Sequence, residues 1–545
     1  MIPLREQSGM EGSWFPKWMP FDPSLLAGFV LLAGLLLRLH LAAETFLNAD
    51  EALHFMAANQ DSWKQTYQAS LTLSHPPLLI FVLHIWRMFG RSEIILRLPS
   101  VVAGSAFCWI FFRWLSDLFG TATGLIGLIF GSFLPPMIAL SAEVRQYAFL
   151  LLFAISSMYL LERALAENSS QRMAYSALCL WLATLSHYSA VLLAAALGAY
   201  SLLRIVQQPA TRAVFRVWLV GEIGELLLIS LVYFTYLSQF GRGALHGWMG
   251  DTYLHNSYFD PQRHHLLLFV LTRSVSVFQY LLGQAAIGDL LFLSFLAGTV
   301  LVGRTARLGS VPVKGAQLAR LLWLPFVMNC GAALLDLYPY GGTRHSIFLA
   351  IFAITGISVA VDRLAGRHLS WGLATAAVIV SLCNLFPSHR LPYIARADQK
   401  KLHMDQAMAF VHDHIPPNDL LVADNQTGLL LGHYLCQRQP FFINEWTEGL
   451  KSLRCGGYRI AATDGRVFAF TAENFLPSWE QVVRAYDLKR GDSVWVLQGG
   501  WLWEDSLARE LQTRYPELQN LKVYSFGRNL TIFQLSVGEL RISPS

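Results

Sequence analysis

Long apolar runs recur along most of the chain, each closed by a short polar interval. Runs matched to about 30 Å of hydrocarbon predict helices near 24–42, 96–118, 121–140, 145–162, 173–187, 188–206, 216–238, 287–303, 319–337, 344–361 and 369–386. Two further runs differ in kind. The one at 76–89 is too short to span comfortably, and the one at 265–284 carries Arg273 in its middle. Beyond about residue 398 the pattern breaks into short alternating elements. It predicts helices near 398–414, 426–436, 477–487 and 503–514, and strands at Leu420–Ala423 and near 467–470, 493–498 and 521–535.

Composition sharpens that division. Of 545 residues, 54% are hydrophobic and only 14% are charged. Residues 1–397 hold 45 charged side chains, about 11%, whereas residues 398–545 hold 32, about 22%. A membrane-embedded body is therefore followed by a tail of ordinary globular composition, which excludes a single soluble enzyme, a disordered chain and a disulfide-rich secreted module. The net charge of +5 arises in the apolar part, where loop position explains it better than nucleic acid does; no zinc-finger spacing, RNP motif or basic helix is present. With both unusual runs laid along the membrane surface and a cytoplasmic N-terminus, the inner segments carry 14 Lys or Arg in 81 residues and the outer ones 8 in 116. The positive-inside rule then favours about eleven spans, with thirteen as the alternative.

The expected architecture is an α-helical polytopic membrane protein of 11 to 13 spans with a C-terminal extracytoplasmic α/β domain. Its parts are an N-terminal cytoplasmic segment 1–23, a transmembrane body 24–390 with a large outer loop 43–95, and a soluble domain 391–545. The tail has no Gly-rich nucleotide-binding motif. Cys108, Cys179, Cys330 and Cys383 lie in apolar stretches; Cys436 and Cys455 fall in the tail, where a disulfide and two free thiols fit equally well.

This threading brings unusual polar residues to one side of the membrane. Asp50 and Glu51 follow the first span, Glu143, Arg145 and Tyr147 occupy the second outer turn, and His187 and Tyr188 the next. Arg344 and His345 open the penultimate span, and His75 precedes two prolines in the first outer loop. Each has a plain reading: Asp50 as a helix cap, the arginines as snorkelling anchors, His187 as an interfacial histidine. Together they are harder to dismiss, because ionisable groups near a membrane cost several kcal/mol unless they are paired or functional. A carboxylate placed as general base beside arginines suited to phosphate is what transfer from a phosphate-activated donor requires. Glu222 and Glu225, within a later span, find no place in that scheme.

Asp50-Glu51-Ala52, His75-Pro-Pro-Leu78, Leu96-Arg-Leu-Pro-Ser100, Glu143-Val-Arg145 with Tyr147, Ser186-His-Tyr188 and Arg344 occur in a characteristic order. In this the chain resembles the GT-C membrane glycosyltransferases, specifically bacterial relatives of protein O-mannosyltransferases and lipid A aminoarabinose transferases, over residues 24 to 361. The resemblance implies a GT-C fold and a polyprenyl-phosphate sugar as donor. It implies Asp50 as catalytic base with Glu51 adjacent, and Arg145 and Arg344 as the phosphate-binding pair. Glu143, Tyr147, His75, His187, Tyr188 and His345 are supporting residues, and His345 stands where the family commonly has tyrosine. Displacement from one face implies inversion. No cofactor is implied; a divalent metal is known in distant members, but no residues here read as a metal site. The expected partners are the lipid-linked donor, a lipid, glycan or protein acceptor, and the membrane, without nucleic acid. The expected location is a bacterial inner membrane with the site and tail in the periplasm. The competing class is a transporter or flippase for a lipid-linked or anionic solute; such proteins place their charges at the midplane of repeated halves, which this sequence lacks.

Overall fold

The computed structural model describes residues 22–208, 210–240, 254–305, 313–366, 368–386, 399–436, 446–447, 449–500, 506–527 and 530–538. Residues 1–21 of the expected N-terminal segment, residues 503–505 of an expected helix and the side chain of Cys455 lie outside them.

The membrane body is built from α1 (Pro23–Glu44), α2 (Ala49–Ala58), α3 (Trp63–Ser70), α4 (Leu78–Trp86), α5 (Glu93–Phe119), α6 (Thr121–Phe133), α7 (Pro135–Ala139) and α8 (Tyr147–Glu167). It continues with α9 (Ser170–Ser186), α10 (Ala190–Gln207), α11 (Arg212–Thr235), α12 (Leu266–Leu282), α13 (Ala285–Arg304), α14 (Gly315–Leu334), α15 (Ala350–Ala365) and α16 (Leu369–Leu385). Among the described residues, seven helical stretches are long and apolar enough to cross a membrane: α1, α5, α8, α10, α11, α13 and Arg344–Ala365. The chain is a multi-pass membrane protein. The stretch Arg344–Ala365 is the most enclosed of the seven. Its Gly356 lets α13 approach so closely that a Cβ on Gly298 would stand 1.9 Å from the Gly356 carbonyl oxygen. Small residues commonly permit such contact between membrane helices.

The run expected as one helix at 121–140 is broken into α6 and α7, because Pro135 and Pro136 cannot donate to the preceding turn. The carbonyls freed there are taken by Arg38 of α1, which reaches Gly131 O and Ser132 O at 3.0 Å and Met137 O at 3.3 Å. This buried arginine thus replaces the hydrogen bonds that two prolines remove. The short run at 76–89 forms α4 and a 3-10 turn, and the run with Arg273 forms α12.

Among the described residues the tail forms a seven-stranded sheet in the order β2-β3-β4-β1-β5-β7-β6, from β1 (Leu420–Ala423), β2 (Trp446–Thr447), β3 (Leu450–Cys455), β4 (Tyr458–Ala462), β5 (Ser493–Gly499), β6 (Val523–Ser525) and β7 (Leu530–Ser536). Central β1 runs parallel to β4 and β5, and the outer pairs are antiparallel. All four β1 residues are buried, as expected for a parallel strand covered on both faces. Helices α17 (Lys401–His414) and α18 (Asn425–Tyr434) cover one face; α19 (Ala472–Ala485) and α20 (Leu507–Arg514) cover the other.

One expectation for the tail needs correction, and one pair of strands went unpredicted. Residues 467–470 are not a strand. Their backbone caps the β1–α18 junction, with Val467 O and Phe468 O accepting from Asn425 and Gln426 and Phe470 N donating to Asp424. The β3–β4 hairpin went unpredicted because its strands alternate weakly; its turn is Gly456-Gly457, both at positive φ. Cys436 is disulfide-bonded.

One face of α2 belongs to the tail. Phe46, Ala49, Ala52 and Met56 share a core with Met404, Ala407 and Leu429–Leu431. The junction is pinned by Phe46 N to Gln399 O at 3.0 Å and Leu47 N to Tyr434 Oη at 2.8 Å. Tyr434 in turn donates to Glu93 of α5 at 3.0 Å, and Lys401 Nζ lies 3.0 Å from the other Glu93 oxygen.

Candidate functional site

The site is organised around the first turn of α2. Asn48, not Asp50, caps the helix: its side chain accepts from Glu51 N at 3.0 Å, while Asn48 N donates to Glu51 Oε2 at 2.8 Å. Asp50 is thereby free of capping duty and turns toward the segments that carry Arg145 and Arg344. Its Oδ2 lies 2.6 Å from Arg145 Nη1 and 3.1 Å from Arg344 Nη2. Residues from three distant parts of the chain therefore meet at one carboxylate oxygen. Among the described residues, Oδ1 makes no hydrogen bond, and the Asp50 side chain is 19% exposed.

Burial alone would raise the Asp50 pKa, but the guanidiniums of Arg145 and Arg344 outweigh it and bring it down to about 2. Arg145 is almost wholly buried; its Nη2 donates to Tyr147 Oη at 3.3 Å and its guanidinium lies over the Tyr147 ring at 5.5 Å. Arg344 is more open, at 24% exposure.

Glu51 faces away from this cluster. It is fully buried and clamped by Arg97, whose Nε and Nη2 each lie 2.7 Å from one carboxylate oxygen. Val144 N also donates to it at 2.8 Å. Arg97 further caps the end of α1, donating to Ala42 O at 2.9 Å, Thr45 O at 2.7 Å and Phe46 O at 2.9 Å. The pair ties α1, α2, α5 and the turn between α7 and α8 together. Glu143 is buried in that turn.

Four histidines form a row beside the arginines. Ring centroids are 5.7 Å apart for His54–His75, 5.9 Å for His75–His187 and 6.2 Å for His187–His345; Tyr147 lies 5.3 Å from His187. The site thus gathers Asp50, Arg145, Arg344, Tyr147, His75, His187 and His345, with half-buried Tyr188 beside His187 in the chain and Glu51 one layer behind. Sequence reasoning gave no role to His54, Arg97 or Tyr434. The signals were present for two of them: His54 is four residues from Asp50 on one helix face, and Arg97 is an arginine inside an apolar helix. Tyr434 had none. Among the described residues no three His, Cys, Asp or Glu side chains are disposed to hold a metal ion.

Burial, reinforced by Arg145, holds His54 at about 4 and His187 at about 3, and His75 well below its ordinary 6.5. Such histidines stay neutral in the fold but protonate in the unfolded chain, so stability is full above about pH 6.5 and falls as the pH drops toward 4. Asp50 acts in the same direction at lower pH, its contribution being lost as the pH falls from 3.8 to about 2. The unfolding temperature in nanodiscs is therefore expected to drop between pH 7 and pH 5, with a smaller drop for His187→Gln; a profile flat across that range would contradict this account.

The bundle with its appended α/β domain has the fold of the GT-C membrane glycosyltransferases. It superposes on apo ArnT from Cupriavidus metallidurans with a TM-score of 0.52 at 11% identity, covering 95% of this chain and 99% of that one. The same protein bound to undecaprenyl phosphate gives 0.49 at 12% identity over 95% and 99%. The Archaeoglobus fulgidus oligosaccharyltransferase is similar at 0.46 and 12% identity, covering 90% and 70%. No curated protein sequence matches. Residues 74–234 match the dolichyl-phosphate-mannose-protein mannosyltransferase family. The chain thus shares its fold with ArnT, and its residues 74–234 are similar to the O-mannosyltransferase family.

Proposed function

We propose that the protein transfers a sugar from a polyprenyl-phosphate donor to an acceptor hydroxyl on the outer, periplasmic face of a bacterial inner membrane. The observation that carries this is the Asp50 carboxylate, with one oxygen held by two arginines and the other without a hydrogen-bond partner among the described residues. The donor's phosphate, monoanionic as a diester, takes the place of Oδ2 between Arg145 and Arg344. Relieved of part of that attraction, Asp50 becomes a stronger base. It accepts the acceptor's proton at Oδ1 while the acceptor oxygen bonds to the anomeric carbon. The anomeric C–O bond breaks, its electron pair leaves with polyprenyl phosphate, and attack from the opposite face inverts the centre. Glu51 positions α2 through Arg97, and Tyr147 supports Arg145 from below.

The test is label transfer from a panel of radiolabelled polyprenyl-phosphate sugars to an envelope acceptor fraction, with purified protein in nanodiscs. Wild type is expected to label one acceptor class, and Arg344→Gln to bind the donor about 10- to 100-fold more weakly, the loss of one charged hydrogen bond. Tight binding of the lipid phosphate with no transfer from any donor would refute the reading and favour transport, to be measured as flux across vesicles.

A further inference from the structure

The histidine row has a polarity that the packing fixes. His54 Nδ1 lies 2.5 Å from Asp50 O, which can only accept, so the proton is on Nδ1 and Nε2 carries a lone pair. That Nε2 is buried and has no hydrogen-bond partner among the described residues. At His187 the arrangement is reversed: Ser189 N donates to Nδ1 at 3.2 Å, so the proton of the neutral ring is on Nε2. His54 therefore offers an acceptor and His187 a donor, with half-buried His75 stacked between them at 5.7 and 5.9 Å. A buried acceptor left unmade costs about 1–3 kcal/mol, and a phenylalanine would fill the same space without that cost. Packing alone does not account for this imidazole. Gln146 and Thr343, the chain neighbours of Arg145 and Arg344, also carry buried polar atoms with no partner among the described residues.

We infer that His54, His75 and His187 form the sugar subsite of the donor and select an uncharged, hydroxyl-rich sugar. Resting on the proposed transferase reading, this assigns the substrate class. A hydroxyl both donates and accepts, so it satisfies His54 and His187 alike. An ammonium only donates; it would face the His187 N–H and stand beside two guanidiniums. A carboxylate only accepts, and it would set its lone pairs against that of His54. Neutral imidazoles thus read the sugar while the arginines hold the phosphate.

The experiment compares binding of polyprenyl phosphate alone with binding of the same lipid phosphate bearing mannose, a 4-amino-4-deoxypentose or a hexuronic acid, to full-length protein in nanodiscs. Transfer is measured in parallel. The neutral sugar is expected to tighten binding over bare polyprenyl phosphate. His54→Phe and His187→Phe are each expected to remove about 10- to 100-fold of that gain while binding bare polyprenyl phosphate as wild type does. That unchanged control also shows that the variants are folded. The inference is overturned if the sugar adds no affinity, if the amino or uronic donor is preferred, or if both phenylalanine variants discriminate as wild type does. A histidine-dependent gain in binding without transfer would uphold the subsite and refute the transferase reading.

Discussion

An Asp50→Asn protein is expected to fold, to bind polyprenyl phosphate at least as tightly as wild type, and to transfer sugar about 10²- to 10⁴-fold more slowly, the usual contribution of a positioned general base. Asparagine keeps the shape but carries no charge and accepts no proton at the δ position. Its loss also frees Arg145 and Arg344 from the carboxylate that now lies 2.6 and 3.1 Å away. The two guanidiniums then lose the Asp50 charge that they share, and a phosphate replaces it. Affinity and rate should therefore move in opposite directions, which simple misfolding would not produce. Equilibrium binding of labelled lipid phosphate and single-turnover transfer measure the two separately. Unchanged transfer would remove Asp50 from the chemistry.

Arg97→Leu is expected to be the most destabilising single change near the site, by about 3–5 kcal/mol. Arg97 and Glu51 are both almost completely buried, so removing the cation leaves a carboxylate in a site that water does not reach. It also strips the hydrogen bonds from Ala42, Thr45 and Phe46 that close the end of α1. The double change of Arg97→Met with Glu51→Gln should recover part of the stability, because no buried charge then remains unpaired. Thermal unfolding in nanodiscs reads the difference, and a melting temperature equal to wild type in Arg97→Leu would contradict the clamp.

Much of this was legible in the sequence, and the parts that were not have physical reasons. The expected helices of the body stand close to where the apolar runs placed them, since in a bilayer length and hydropathy nearly determine a span. Asp50, Arg145 and Arg344 were recognisable because charges are rare there. Glu51 was grouped with Asp50 because adjacency in sequence says nothing of direction: consecutive helical positions point about 100° apart, and here one faces Arg145 and Arg344 while the other faces Arg97. The capping role went to Asn48 for the same reason of register. The α6–α7 break was announced by Pro135-Pro136, but its stabilisation by Arg38 depends on a contact 93 residues away. Tyr434 was invisible, as a tyrosine at the end of an ordinary tail helix carries no pattern.

The shared core of α2 and the C-terminal domain sets an order of events during biosynthesis. Leu47 and its partner Tyr434 are 387 residues apart. At 5–20 residues per second, roughly 20 to 80 s pass between their synthesis. Throughout that interval the stripe of Phe46, Ala49, Ala52 and Met56 lacks its covering layer. The helix that carries Asp50 is thus seated only when the segment from Gln399 onward has been made and folded. A nascent or truncated chain already inserted in the bilayer would hold a loosely placed carboxylate, so the cluster of Asp50, Arg145 and Arg344 takes its final form only once the α/β domain has folded against α2.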